Sequence, residues 1–151
     1  MNAPLAKAAI AALIPHAGLM CLLDSVVAWD TRTIACLASS HRMPGNPLSA
    51  NGRLDAICGV EYAAQAMAVH GGLIGDGRRP AAGYLASLHN VVCSVERLDL
   101  LKCDLLVTAE LLIGDTASAI YRFDVTCGAA AVLSGRAVVV IDVRRSESLP
   151  Q

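Results

Sequence analysis

Hydrophobic and polar residues alternate along the C-terminal half of the chain. Segments 105–112 and 121–127 have a period of two, which predicts half-buried β-strands. Two longer runs, 84–96 and 130–143, are apolar and rich in β-branched residues, which also favours strands. Gly-containing turns at 114–115 and 127–128 separate neighbouring runs. The pattern therefore predicts four long strands.

The N-terminal part predicts a short helix, a hairpin and a loop. The helix spans 3–14 and ends at Pro15, because the residue before a proline is pushed out of the helical region. Strands 25–29 and 33–39 follow and are joined by the polar turn 30–32. Segment 41–52 carries two prolines and two glycines, so we expect a loop, and loops of this length are usually functional.

Between the loop and the long strands the apolar period changes to that of a helix. From Asp55, the expected N-cap, to about Leu73, apolar residues recur on one face. Many of them are alanines, which give a thin helix that other elements can approach closely. One helix and several strands predict an α+β fold, in which a long antiparallel sheet wraps around a central Ala-rich helix. We expect a single domain over 1–151.

The composition is that of a folded protein that does not bind nucleic acid. Of 151 residues, 55% are hydrophobic and 17% charged, so the chain can bury enough surface to fold. A net charge of -1 and an aromatic content of 3% provide neither a basic surface nor a stacking platform. No apolar run approaches the roughly 18 residues of a membrane span.

Six cysteines occur without any C-x-x-C pair, and most of them lie in apolar runs. This is typical of reduced thiols in the core of a protein from a reducing compartment. We therefore expect core cysteines without disulfides, and a cytoplasmic location.

Glu61 is the first candidate for chemistry. It lies next to Val60 and one turn from Ile57, so helical geometry directs its carboxylate toward the apolar face. Burying an ionised carboxylate is costly unless it is paired or protonated. Gln65, one turn on, is expected to hydrogen-bond to it. The alternative is that Glu61 lies at the edge of this face and reaches water.

His41 is the expected partner of Glu61 among four histidines. It opens the Pro/Gly loop directly after a strand, where a rigid scaffold holds a side chain next to a cleft. An imidazole and a carboxyl group in one site form an acid–base pair. We expect His16 to fix a turn, and His70 and His89 to be structural.

These residues occur in an order that resembles a known family. The run PHAGLMCLLD at 15–24, His41 with its loop, and EYAAQ at 61–65 are similar to the β-hydroxyacyl-[acyl carrier protein] dehydratases of the hotdog superfamily. The run GVEYAAQAMAVHG at 59–71 is closest to the dehydratase-like proteins of aryl polyene pigment clusters. The histidine loop is longer than the family's compact form, and Ala56 stands in place of its pre-helix glycine.

The resemblance implies dehydration of a 3-hydroxyacyl thioester to a 2-enoyl thioester, in fatty acid or polyene biosynthesis. His41 would be the base and Glu61 the acid, commonly from opposite subunits of a dimer. The N–H groups of Ala56 and Ile57 at the helix start would stabilise the thioester oxygen, with Gln65 in support. The acyl chain would lie in an apolar tunnel between helix and sheet. The resemblance implies no metal, flavin or nucleotide cofactor.

Two alternatives remain open on the same residues. A hotdog thioesterase would use Glu61 to activate water and Gln65 to polarise the carbonyl. A non-catalytic hotdog subunit would instead complete the site of a paralogous dehydratase. The expected partners are acyl carrier protein and a second hotdog subunit, in a homodimer or heterodimer, because a one-helix sheet leaves an edge strand uncovered. Candidates for docking the acidic carrier protein are Arg42, Arg53, Arg78 and Arg79.

Overall fold

The computed structural model describes residues 2–16, 18–75, 83–115 and 117–141. It contains two α-helices, α1 (Lys7–Ala11) and α2 (Gly59–Ile74). Short 3₁₀ turns lie at Gly18–Met20, Ser40–Arg42 and Ala56–Cys58. The strands are β1 (Leu5–Ala6), β2 (Ser25–Trp29), β3 (Thr33–Ala38), β4 (Gly83–Cys93), β5 (Leu105–Gly114), β6 (Ser118–Cys127) and β7 (Ala130–Ile141). None of the described helices is both long and apolar enough to cross a bilayer.

The seven strands form one antiparallel sheet around α2, as the sequence predicts. Their order is β1-β2-β3-β5-β6-β7-β4. Helix α2 packs against the middle of this sheet, chiefly β5, β3 and β6. The predicted hairpin and the four predicted long strands are all present: β5 and β6 have the period-two pattern, and β4 and β7 are the apolar, β-branched runs. The core therefore lies between α2 and the concave face of the sheet.

The central helix starts later than predicted and lies very close to the sheet. The 3₁₀ turn Ala56–Cys58 precedes it, and the Asp55 carboxylate makes no capping hydrogen bond. That carboxylate accepts from Arg53 Nε at 2.5 Å instead. A Cβ atom at Gly59 would lie only 2.8 Å from a methyl group of Leu133 on β7, so a larger residue there would have to displace that methyl group.

The predicted N-terminal helix over 3–14 is shorter than expected. Leu5 and Ala6 form the strand β1 and pair with Val26 and Ser25 of β2. Helix α1 is confined to Lys7–Ala11. Adding two residues to the sheet edge satisfies backbone hydrogen bonds that a frayed first turn would leave to water, so tertiary pairing overrides local propensity here.

The expectation of six reduced core cysteines is wrong for part of the set. Cys103 and Cys127 form a disulfide with a Cα–Cα distance of 5.7 Å. Leu105 lies opposite Cys127 in the β5–β6 ladder, which brings Cys103 within reach. Of the free thiols, Cys21 and Cys36 are buried as expected, Cys58 is partly buried and Cys93 is exposed.

His70 is a satisfied core histidine, as expected. Its Nε2 lies 2.8 Å from the carbonyl of Asp30, which accepts the ring proton. Its Nδ1 lies 2.7 Å from the hydroxyl of Tyr121, which is then the donor. Burial lowers the pKa of His70 below its ordinary value, because the charged ring would lose its hydration.

We expect the disulfide to stabilise the fold. Reduction should lower the free energy of unfolding by about 3 kcal/mol, the value for closing a loop of this size in the unfolded chain. Alkylation of the denatured, unreduced protein should label four thiols, those of Cys21, Cys36, Cys58 and Cys93. Cys93→Ser is the control and should leave stability unchanged. Labelling of all the cysteines before reduction would contradict the bond.

We expect His70 to make stability depend on pH. Above the unfolded-state pKa of about 6.5 both states hold a neutral ring, so there is no penalty. As the pH falls below that value, the unfolded chain binds a proton that the buried ring resists, and stability decreases. Urea unfolding at pH 7.5 and 5.5 should show a smaller difference for His70→Gln than for the unsubstituted protein. His89→Gln, on an exposed strand position, is the control, and equal differences for all three proteins would refute the prediction.

Candidate active site

His41 is held in a buried position directly after β3. It lies in the 3₁₀ turn Ser40–Arg42 at the start of the Pro/Gly loop, and only 1% of its surface is exposed. Its Nε2 lies 3.2 Å from the carbonyl oxygen of Leu101. A carbonyl can only accept, so Nε2 carries the proton and Nδ1 keeps its lone pair. Nδ1 is buried and has no partner in the described chain.

The surroundings of His41 favour the neutral ring. Burial lowers its pKa, and the nearby positive charge of Arg42 lowers it further. The backbone groups of Leu101 and Cys103 and the negative charge of Asp104 raise the pKa of His41, and each has a weaker effect than burial or Arg42. A neutral imidazole with an unpartnered Nδ1 is the state that a general base requires.

A buried polar network fixes the turn that carries His41. Ser40 Oγ donates to the carbonyl of Leu22 at 2.8 Å, so the Tyr62 hydroxyl, 2.7 Å away, donates to Ser40 Oγ. Asn46 Nδ2 donates to the Tyr62 oxygen at 3.0 Å and to the Ser40 carbonyl at 2.9 Å. Because Tyr62 belongs to α2, this network ties the His41 turn to the central helix.

Glu61 has an imidazole partner, but it is His16 rather than His41. His16 Nε2 lies 3.3 Å from Glu61 Oε1. The expectation that the carboxylate points into the sheet is wrong for the single chain, since 38% of its side chain is exposed. The exposure of Glu61 agrees with the alternative expectation, in which its side chain lies at the edge of the apolar face and reaches water. Within the described residues His41 and Glu61 form no hydrogen bond or ion pair with each other.

Gln65 does not orient Glu61 as expected. It is fully buried. Its carboxamide binds residues 20–22 of the segment 18–24 that leads into β2, here called the strap. Its Oε1 accepts the N–H of Leu22 at 2.9 Å, and its Nε2 donates to the carbonyl of Met20 at 2.7 Å. Both ends of the amide are thus occupied, so Gln65 is a structural clamp.

The backbone donors expected at the helix start are only partly free. The Ala56 N–H donates to the carbonyl of Glu96 at 2.9 Å. It is therefore not free to bind the thioester oxygen, and the expectation for Ala56 is wrong. Its bond arises because segment 55–56 runs beside segment 96–97. Ile57, the next residue, lies in the 3₁₀ turn Ala56–Cys58 at the start of the helical segment, where N–H groups lack an intrahelical acceptor. The side chain of Ile57 is exposed.

The candidate docking arginines are paired within the chain. Arg42 donates to the Lys102 carbonyl at 2.6 Å and to Asp104 at 2.5 Å. Arg53 donates to Asp55. These pairs reduce the local positive charge that was expected to attract an acidic partner. Arg78 and Arg79 lie outside the described residues.

One depression of the described structure lies away from the expected acyl tunnel between helix and sheet. A depression of about 480 Å³ lies on the sheet, among residues of β2, β3, β5 and β6. It is lined by polar as well as apolar groups, including Thr108, Glu110, Arg122 and Asp124. Neither His41 nor Glu61 lines it.

The sequence prediction missed the residues that hold the two candidates in place. His16 was expected only to fix a turn, and Tyr62, Ser40 and Asn46 were not singled out. A signal was present, because Ser40 precedes His41 and Tyr62 follows Glu61. Polar residues next to catalytic candidates and inside apolar segments need a partner when they are buried.

The fold is that of hotdog dehydratases and thioesterases. The chain of "The Dehydratase Heterocomplex ApeI:P from Xenorhabdus doucetiae" aligns with a TM-score of 0.78 at 20% identity, covering 91% of this chain and 92% of that one. Zebra fish thioesterase superfamily member 2 aligns with a TM-score of 0.63 at 14% identity, covering 89% and 94%. A mutant thioesterase from Pseudomonas aeruginosa aligns with a TM-score of 0.58 at 10% identity, covering 77% and 78%.

The family is shown by sequence. No curated protein sequence matches the chain at a significant level. A family model described as ApeP-like, for the ApeP dehydratase, matches residues 8–148 and so nearly the whole chain. This agrees with the resemblance seen in its motifs. The chain belongs to the ApeP-like dehydratase family.

Proposed function

We propose that the protein removes water from a 3-hydroxyacyl thioester carried by acyl carrier protein and forms the 2-enoyl thioester. The proposal places the reaction in fatty acid or polyene pigment biosynthesis. The observation that carries it is His41, a buried and neutral imidazole with one nitrogen held by the Leu101 carbonyl and the other without a partner. Family membership supports dehydration as the reaction class.

In this mechanism His41 Nδ1 accepts the proton from C2 of the substrate. The electron pair of the C2–H bond forms the C2=C3 double bond, and the C3–O bond breaks. The Leu101 carbonyl holds Nε2–H, so it keeps the ring in the tautomer that presents Nδ1 and stabilises the imidazolium that forms. General-base catalysis of this kind contributes about 10²- to 10⁴-fold.

Glu61 in its protonated form supplies the proton for the departing hydroxyl group, which leaves as water. The Ile57 N–H, in the 3₁₀ turn that precedes α2, is the proposed donor to the thioester oxygen while charge develops on it. After release of the product, His41 returns its proton to solvent and Glu61 takes one up. No metal, flavin or nucleotide takes part in this proposal.

The proposed site includes a second subunit, because the described residues of one chain form no hydrogen bond or ion pair between His41 and Glu61. Strand β4 forms an edge of the sheet and pairs only with β7 among the described strands. It exposes the large apolar side chains of Tyr84, Leu88 and Val92. An open edge with apolar side chains is suited to pairing with another sheet. We propose a homodimer, or a heterodimer with a paralogous hotdog subunit, and the related heterocomplex supports the latter.

The proposed carrier partner is acyl carrier protein, with docking at Arg42 and Arg53 and at Arg78 and Arg79. The ion pairs of Arg42 with Asp104 and of Arg53 with Asp55 weaken the attraction of the first two. We also propose a cytoplasmic location. A reducing compartment would keep Cys103 and Cys127 as thiols during function.

Thioester hydrolysis is the second candidate. The thioesterase neighbours and the partly exposed Glu61 favour it, since a carboxylate that reaches water can activate a water molecule. Gln65 argues against it, because both ends of its amide are occupied and neither is free to polarise a carbonyl group.

We expect His41→Ala to lower kcat for enoyl formation by about 10²- to 10⁴-fold, because the base is lost. Glu61→Gln should lower it by a similar factor, because the acid is lost. The assay is mass spectrometry of a 3-hydroxyacyl carrier protein after incubation, which separates enoyl product from free acid. His89→Ala is the control and should keep full activity. Free acid as the product, with His41→Ala active, would favour the thioesterase.

We expect activity to depend on subunit pairing. Size-exclusion chromatography of the protein alone should show a dimer, and mixing with the paralogous dehydratase should shift it to a mixed complex if that is the working form. Charged substitutions at Tyr84 and Val92 on β4 should abolish both assembly and enoyl formation. Val27→Lys, at an exposed apolar position on β2, is the matched control. If His41→Ala in this chain leaves the mixed complex fully active, the chain is the non-catalytic subunit.

A further inference from the structure

His16 is placed by the fold against the carboxyl group that the proposed reaction uses. Its Nε2 lies 3.3 Å from Glu61 Oε1, and both side chains are only partly exposed. Its other ring nitrogen, Nδ1, is buried and has no partner in the described chain. The ring therefore has one polar contact, and that contact is Glu61.

The strap that follows His16 is anchored on both sides. The Gln65 amide holds Met20 and Leu22 to α2, one turn beyond Glu61. Lys7 Nζ on α1 donates to the carbonyls of Cys21 and Leu23 at 2.9 and 3.0 Å. Pro15 restricts the backbone on the other side of His16. These contacts hold residues 20–23, a few positions after His16, against α1 and α2.

A carboxyl group at a helix edge needs such a contact. Glu61 has several rotatable bonds, and among the described residues its side chain has one ion-pair contact, with His16. We propose that His16 is a positioning residue: the contact between its Nε2 and Glu61 Oε1 orients the carboxyl group and directs Oε2 toward the hydroxyl group of the substrate. This inference rests on the proposed dehydration. It adds a second imidazole to the site: His41 hydrogen-bonds to the Leu101 carbonyl and, in the proposed dimer, meets Glu61 of the other subunit.

The effect expected from His16 is on the chemical step. A displacement of about 1 Å in a catalytic group can cost about 10²-fold in rate. We therefore expect His16→Ala to lower kcat by about 10- to 100-fold with little change in KM, because the ring touches Glu61 and not the thioester. His16→Gln should recover most of the loss, since its amide Nε2 can occupy the place of the imidazole Nε2.

A double-mutant cycle tests whether the effect passes through Glu61. Enoyl formation is measured for the assembled protein with His16→Ala, Glu61→Gln and both substitutions, and thermal unfolding confirms that each variant is folded. His16→Ala should cause no further loss in the Glu61→Gln background, because there is no longer an acid to position. Equal losses in both backgrounds, or His16→Gln as inactive as His16→Ala, would overturn the positioning role.

The two proposals fail in different ways. If the unsubstituted protein gives no enoyl product, alone or with its paralogue, the proposed function is wrong and the role of His16 falls with it. If enoyl product forms and depends on His41 and Glu61, but His16→Ala retains full kcat, only the positioning role is wrong. His89→Ala serves as the control for histidine removal in both cases.

Discussion

The buried polar groups of α2 determine the arrangement of the site. Tyr62 and Gln65 lie inside an apolar interface, where an unsatisfied hydroxyl or amide would cost about 1–3 kcal/mol. Each finds its partners on a different segment: Tyr62 on the turn that carries His41, and Gln65 on the strap that follows His16. The requirement to satisfy two side chains of one helix thus places both imidazoles relative to Glu61.

The two histidines are placed in different environments, which suits different roles. His41 is buried, has a lowered pKa and keeps one nitrogen without a partner. His16 lies at the edge of the helix and contacts the carboxyl group of Glu61 directly. Within the described residues of one chain, the proposed base His41 contacts the Leu101 carbonyl, and the proposed acid Glu61 contacts His16. This separation is the reason for proposing a second subunit, and a solved dehydratase heterocomplex has the same fold.

Much of the fold could be predicted because its patterns are local. The alternation in β5 and β6 and the turn at Gly128, where φ is positive, are properties of neighbouring residues. The errors occur where distant segments meet. Leu5 and Ala6 join the sheet because β2 lies beside them. Cys103 bonds to Cys127 because the register of the β5–β6 ladder brings them together, and no spacing along the chain indicates that register.

The candidate site divides in the same way. The sequence by itself determined that the chain forms one helix against an antiparallel sheet, and that His41 and Glu61 are the chemically unusual residues, because periodicity and the cost of burying charge act within a few residues. Only the tertiary structure decided that Glu61 lies at an edge beside His16, and that Gln65 is a clamp. Side-chain partners across 43 or 45 residues depend on how segments pack, and packing is a property of the whole fold.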